Sequence, residues 1–367
     1  MEIIPKQEKV ATSVVCKNIH HSIGLTNHNL YQAILSPHQV VEKLDLEDAR
    51  LLVGRTTAET VVPQQAEVEG VSSNDVKRLF TPKSEQIRLM RSDLKAGGEW
   101  KFGIRRFDEV TMGGARPGNL VTLIGKTHTG KSLLAMNIVA RNSGHRTLWV
   151  SPDETESMFW GRYAAIKMQI GQKDWISRLI RNDTLAWQRT SEVISNSTNL
   201  HFESTGMSVD DLDKAMRIAT SELWDGQRPD VLVYDYLELI RGGGSGDAAS
   251  VQSKIESFKQ LVSDWRVIGV VIHQSGRGAG NRGSAGGIDS GRFASTSESH
   301  FVLETWRRWD DTNLDEETRR FYENEVSVGL WKNKAGEGEK AEVNLTIDAS
   351  GRLLEPGVTW EQMSLHE

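Results

Sequence analysis

One short segment, GKTHTGKS at residues 125–132, constrains the fold of this chain more than any other. The apolar run Leu120–Ile124 directly precedes it, and a helical pattern of apolar residues follows it from Leu133. A strand, a glycine-rich turn and a helix in this order make backbone amides converge on an anion, which the positive end of the helix also attracts. The spacing GxxxxGK[ST] therefore predicts a polyphosphate site at the end of a β-strand.

Each part of this loop has an expected role. Gly125 and Gly130 permit the curled backbone, and the Lys131 ammonium reaches the β- and γ-phosphates. The Ser132 hydroxyl is a predicted ligand of Mg²⁺. The predicted nucleotide ligands are Gly125, Lys126, Thr127, His128, Thr129, Gly130, Lys131 and Ser132. The segment thus predicts binding of a nucleoside triphosphate, ATP, together with Mg²⁺.

The composition is that of a globular protein in a reducing compartment. Of the 367 residues, 38% are hydrophobic and 26% charged, enough for one large or two modest domains. The one cysteine, Cys16, excludes an internal disulfide. No stretch reaches the ~18 apolar residues of a membrane span, and no signal peptide pattern opens the chain, so we expect a cytoplasmic protein without a membrane partner. The net charge of −6 gives no overall attraction to nucleic acid, which would need local basic groups.

Strand and helix patterns alternate in residues 99–367. Strands are predicted near 120–124, 146–150, 230–235, 268–273, 300–305, 326–332 and 341–347, and helices near 131–142, 155–170, 209–223 and 251–264. Such alternation predicts an α/β fold with a mostly parallel central sheet flanked by helices. The segment KNKAGEGEK at 332–340 predicts a hairpin-like return between the last two strands.

The first 98 residues have a different pattern. A helix is predicted to open at Ser36-Pro37, and a polar linker follows Gly54. A second, amphipathic helix is predicted over 81–94, and its apolar stripe needs burial against its own domain or a neighbouring subunit. We therefore divide the chain into a small helical N-terminal region with a linker (1–70), a linker helix (71–98) and the α/β domain (99–367).

Acidic residues follow two predicted strands. Asp235 ends the strand 230–235, where a carboxylate would orient Mg²⁺ beside the phosphate loop. Asp153 and Glu154 follow the strand 146–150, at the edge where open α/β sheets place reactive groups. One of these two acids is the candidate general base for attack of water on the γ-phosphate. The alternative is that both only begin the next helix as N-terminal charge.

Two residues end the strand predicted at 268–273. Gln274 can sense the γ-phosphate by hydrogen bonding, so we expect it at the same edge of the sheet as the acids. For His273, a core or loop position is expected rather than a catalytic role.

A glycine-rich tract at 276–291 contains Arg277 and Arg282, and Arg292 follows it directly. Glycine lets backbone amides approach phosphates, and arginines add charge, so these three arginines are candidate DNA contacts. For the tract alone, a surface loop without a ligand is an equal alternative.

Residues 100–355 resemble the RecA-like motor domain of DnaB-type replicative helicases. The resemblance rests on five segments, KFGIRRFDEVTMGGARPGNLVTLIG, VSPDE, DVLVYDYLELI, VIHQSGR and KNKAG. It implies a P-loop NTPase that couples ATP hydrolysis to translocation on single-stranded DNA and duplex unwinding as a ring, a hexamer. It also implies a helicase loader or primase as partners, in a bacterial or phage-infected cell. The N-terminal region is shorter than the usual primase-recruiting collar, which favours a phage or mobile-element origin.

The resemblance also assigns residues. Asp235-Tyr236-Leu237-Glu238-Leu239 looks like the family's DYLQL metal strand, with glutamate in the place of glutamine. The family's strand-end glutamate falls on Asp153 or, with one inserted residue, on Glu154, which we favour. Gln274 matches the glutamine of the sensor strand.

Lys332 and Lys334 are similar in spacing to a lysine-x-arginine-x-glycine element that reaches the neighbouring subunit's ATP site in these helicases. Lys334 stands where the family has arginine, and a lysine lacks the planar fork that grips two phosphate oxygens. The alternative is a solvated hairpin tip.

Two other functions share this fold, since fold does not fix function. One is a RecA- or RadA-like recombinase that forms ATP-dependent filaments on DNA. The other is a regulatory ATPase that does not act on DNA.

Overall fold

The computed structural model describes residues 83–95, 100–203, 206–242, 248–274, 283, 285, 296–335 and 337–358. The helix predicted at Ser36 and the arginines Arg277, Arg282 and Arg292 lie outside the described residues. Within those residues, no helix is long and apolar enough to cross a membrane.

Nine strands among the described residues form one sheet. They are β1 (Leu120–Gly125), β2 (Thr147–Ser151), β3 (Leu200–Glu203), β4 (Val231–Asp235), β5 (Ile268–Gln274), β6 (Phe301–Trp306), β7 (Glu325–Asn333), β8 (Ala341–Ile347) and β9 (Leu353–Leu354). Their order is β3-β2-β4-β5-β1-β6-β7-β8-β9. The strands from β3 to β6 in this order pair in parallel, and β7, β8 and β9 pair antiparallel. The mostly parallel sheet, the seven predicted strands and the hairpin are confirmed, whereas β3 and β9 were not predicted.

The described helices are α1 (Lys83–Lys95), α2 (Arg105–Val110), α3 (Lys131–Arg141), α4 (Glu156–Met168), α5 (Gln172–Ile180), α6 (Thr184–Ser195), α7 (Val209–Ile218), α8 (Ala248–Trp265) and α9 (Glu316–Arg320). A short π-helical turn at Ala219–Leu223 extends α7. The helices predicted near 131, 155, 209 and 251 and over 81–94 are confirmed. The sequence patterns did not reveal α2, α5, α6 and α9.

Apolar residues of the central strands divide between two clusters, as expected when helices cover both faces of a sheet. On β4, Val231 and Val233 belong to the cluster that contains residues of α3 and α4. The intervening Leu232 and Tyr234 belong to the cluster that contains residues of α7 and α8. Alternation along one strand therefore buries both faces and holds the strand ends in fixed positions.

The register brings the carboxyl ends of β1, β4, β5 and β6 to one edge of the sheet. Gly125 pairs with Gln274 and with Thr305, and Asp235 pairs with Ile272. Because β7 runs antiparallel, its last residue Asn333 pairs with Phe301 at the opposite edge. Five residues of extended strand separate these edges by about 17 Å.

Candidate active site

The phosphate loop packs closely against β6. Gly125 has φ +151°, and a Cβ atom there would lie 2.5 Å from the Thr305 carbonyl oxygen. The Thr129 hydroxyl lies 2.8 Å from the Thr305 hydroxyl and donates to the Lys126 carbonyl oxygen at 2.8 Å. Gly130 takes φ +99° directly before α3 begins at Lys131. The backbone thus has the left-handed turns that let the loop curl over a polyphosphate.

Lys131 brings a buried positive charge to this loop. Its side chain is buried, and its ammonium donates to the Lys126 carbonyl oxygen at 2.7 Å. Burial lowers the pKa of Lys131 to about 8, although the charges of Asp235 and Glu238 oppose this shift. A polyphosphate would supply further negative charge, which favours the protonated form. Lys131 therefore lies where the sequence predicted it, at the start of the helix.

The two predicted metal ligands, Ser132 and Asp235, lie in contact. Asp235 is 5% exposed at the end of β4. Burial raises its pKa to about 6, and a hydrogen bond from Ser132 and the charge of Lys131 oppose that shift. A hydroxyl and a carboxylate are hard oxygen donors, the type that Mg²⁺ prefers, so this donor set fits the ion.

Glu154 and Asp153 differ in their surroundings. Asp153 is exposed, whereas only 12% of the Glu154 side chain is exposed. Burial raises the pKa of Glu154, Arg162 lowers it, and Asp235 and Asp153 raise it further. Arg162 Nη1 lies 2.8 Å from Glu154 Oε1 but is poorly aligned for a hydrogen bond, so charge attraction dominates this contact. A buried carboxylate beside the metal ligand has the proton affinity that a general base needs, and the geometry favours Glu154 over Asp153.

Gln274 ends β5 beside the phosphate loop. Its Cα partner on β1 is Gly125, and its backbone N–H donates to Glu238 Oε1 at 3.1 Å. His273 is fully buried, as expected, and its Nδ1 lies 3.1 Å from the same oxygen. The predicted sensor and the metal strand are therefore adjacent.

Lys332 and Lys334 lie at the opposite edge of the sheet. The Lys332 ammonium donates to the carbonyl oxygens of Thr296 at 2.8 Å and Ser297 at 2.6 Å, within its own subunit. Burial and the nearby Lys334 lower the pKa of Lys332. Lys334 is exposed. Neither lysine can reach the phosphate loop of its own chain across about 17 Å of strand.

Sequence reasoning missed three residues of the site. Thr305 holds the loop to β6, Arg162 pairs with Glu154, and Glu238 bridges β4 and β5. Only Glu238 had a usable signal, because it follows the strand-end Asp235 by one turn.

The fold and this site define an ATP-hydrolysing P-loop protein of the RecA-like class. The family model of the DnaB-like helicase C terminal domain matches residues 100–290, and the chain belongs to this family. It is therefore an ATP-dependent replicative helicase.

Two solved structures share the fold. One is an isolated ATPase domain with 16% sequence identity and a TM-score of 0.59, and the match covers 75% of this chain and 99% of that chain. The other is a DnaB-like replicative helicase, described with its interactions with primase, with 16% identity and a TM-score of 0.57, covering 88% of this chain and 76% of that chain. No curated protein matches the chain.

Proposed function

We propose that the chain works as a ring, a hexamer, that hydrolyses ATP between neighbouring subunits while it moves along single-stranded DNA and unwinds duplex. One observation carries this proposal. Lys131, Ser132, Asp235 and Glu154 converge at one edge of the sheet, whereas Lys334 is exposed at the other edge. A neighbouring copy that brings its own Lys334 to this site would complete it.

In the proposed reaction, the loop amides from Gly125 onward bind the phosphates, and Lys131 holds the β- and γ-phosphates in place. Glu154 accepts a proton from the attacking water, which then forms a bond to the γ-phosphorus as the bond to the β–γ bridging oxygen breaks. Mg²⁺, held by Ser132 and through water by Asp235, would neutralise charge on the phosphates. The proton on Glu154 leaves with the released phosphate or to solvent.

Lys334 from the neighbouring subunit would add positive charge at the transferred phosphoryl group. This is a point charge without the fork of an arginine. Lys332 is the less suitable member of the pair, because two of its three N–H donors already bind carbonyl oxygens. We propose that Arg277, Arg282 and Arg292 contact the DNA backbone.

Helix α1 supports the proposed assembly. Ile87 and Met90 are 52% and 61% exposed on this helix, so its apolar stripe is open to a neighbouring subunit. A helicase loader or primase is a further proposed partner.

The variant Lys131→Ala tests this function. Without the buried ammonium, the variant should lose ATP hydrolysis and duplex unwinding together, while its thermal unfolding stays cooperative. Unwinding by a folded Lys131→Ala protein would eliminate the proposal. Electron microscopy with DNA and a non-hydrolysable nucleotide separates closed rings from the helical filaments of a recombinase.

A further inference from the structure

Glu238 joins two strands of the site at the point where their pairing stops. It lies on the 3-10 turn Leu237–Leu239, directly after β4. From there its Oε1 accepts the backbone N–H of Gln274 at 3.1 Å and lies 3.1 Å from His273 Nδ1. The last two residues of β5 are therefore tied to the turn that follows the metal strand.

This contact fills a gap in the sheet. Asp235, the last residue of β4, pairs with Ile272, so β4 provides no strand partner for Gln274. A buried backbone N–H without an acceptor is unfavourable. The Glu238 carboxylate accepts this hydrogen bond where the neighbouring strand has ended.

The turn itself is held from the other side. The Lys254 ammonium of α8 donates to the Glu238 carbonyl oxygen at 3.1 Å. The Glu238 side chain is only 20% exposed. Burial alone would raise the pKa of Glu238, but interaction with His273 and the Gln274 N–H lowers it, so the carboxylate is ionised at neutral pH.

The charge of Glu238 also acts on the rest of the site. It raises the pKa of Lys131 and of Asp235. One side chain thus contacts the predicted sensor directly and acts electrostatically on the phosphate-binding lysine and the metal ligand.

We propose that Glu238 is a positioning residue that fixes Gln274 relative to Asp235, so that the sensor amide meets the γ-phosphate. This inference rests on the proposed sensor role of Gln274. Glu238 itself touches neither the nucleotide nor the reacting atoms in this proposal. Its removal should therefore slow hydrolysis without weakening the binding of a nucleotide that lacks the γ-phosphate.

The test compares Glu238→Met, which keeps the side-chain length without an oxygen acceptor, with Glu238→Gln, which keeps one. Gln274→Ala and the double variant Glu238→Met/Gln274→Ala complete the set. The exposed Glu222→Ala controls for loss of a carboxylate elsewhere. Steady-state ATP hydrolysis gives kcat, and fluorescence titration with mant-ADP gives the affinity for the diphosphate.

If Glu238 acts through Gln274, Glu238→Met should lower kcat by up to about 100-fold, as a misplaced group can. Its mant-ADP affinity should stay within about two-fold of wild type, and the double variant should be no slower than Gln274→Ala within the same factor. Glu238→Gln should restore most of the rate, and Glu222→Ala should match wild type.

A double variant whose loss equals the product of the two single losses would overturn the inference, as would Glu238→Gln that is as slow as Glu238→Met. Should Glu238→Met fail to fold, Glu238→Ala takes its place in the same comparison. Full activity in Gln274→Ala would instead refute the sensor role in the proposed function. An impaired Gln274→Ala beside a normal Glu238→Met would refute only the role of Glu238.

Discussion

The contact between Gly125 and β6 makes a quantitative prediction for Gly125→Ala. The added methyl would lie 2.5 Å from the Thr305 carbonyl oxygen and 2.7 Å from the Thr129 hydroxyl oxygen. The Thr305 carbonyl belongs to a strand paired with β1 in register, so it cannot move without disturbing the sheet. Either the pairing or the loop must therefore shift.

Two costs add at this position. A non-glycine residue at φ +151° costs of order 1–3 kcal/mol. Overlap with fixed neighbours adds about 1–3 kcal/mol, as in overpacked cores. Gly118 provides the matched control, because it also has positive φ, at +87°, but nothing lies within 4 Å of its missing Cβ atom. Gly118→Ala should therefore carry only the first cost.

The assay measures the free energy of unfolding by urea denaturation, together with nucleotide affinity, for both variants. Gly125→Ala should be less stable than Gly118→Ala by about 1–3 kcal/mol. Each 1.4 kcal/mol relieved by displacing the loop should weaken nucleotide binding about ten-fold, whereas Gly118→Ala should bind normally. Equal stability of the two variants, with normal nucleotide affinity in both, would refute the close packing of the loop on β6.

Two further predictions concern the reaction. Glu154→Gln should lower kcat by about 10²–10⁴-fold while nucleotide affinity is retained, and Asp153→Asn should have a much smaller effect; equal losses in steady-state hydrolysis would contradict the assignment of the general base. Lys334→Ala subunits mixed with wild-type subunits should depress activity at the interfaces that they form, and Lys131→Ala subunits mixed with Lys334→Ala subunits should recover some hydrolysis, because some interfaces then contain both intact residues. Mixtures without any recovered hydrolysis would show that both lysines serve the same subunit's site.

The centre of the fold could be predicted because its motifs carry their own geometry. The spacing from Gly125 to Ser132 requires a strand before it and a helix after it, and β1 and α3 have those bounds within one or two residues. Strand ends at Asp235 and Gln274 predicted that these residues share an edge, since parallel strands end together. The buried position of Glu154 relative to Asp153 was not predictable, because both follow the same strand.

The missed elements are short or lie at the edge of the sheet. Strand β3 has four residues and exposes Phe202 by 47%, so its pattern lacks the apolar run that revealed the central strands. Helix α9 has five residues, too few for a helical period. The role of Glu238 depends on which strand lies beside β4, and that neighbour, β5, is set by tertiary pairing.

The central claim is that a neighbouring copy completes the nucleotide site and that single-stranded DNA acts on the assembled ring. ATP turnover per subunit, measured across protein concentration with and without single-stranded DNA, tests this claim most directly. We predict that turnover per subunit rises steeply as subunits assemble and rises further with DNA. Turnover that is independent of both protein concentration and DNA, in protein shown to be monomeric, would contradict the claim.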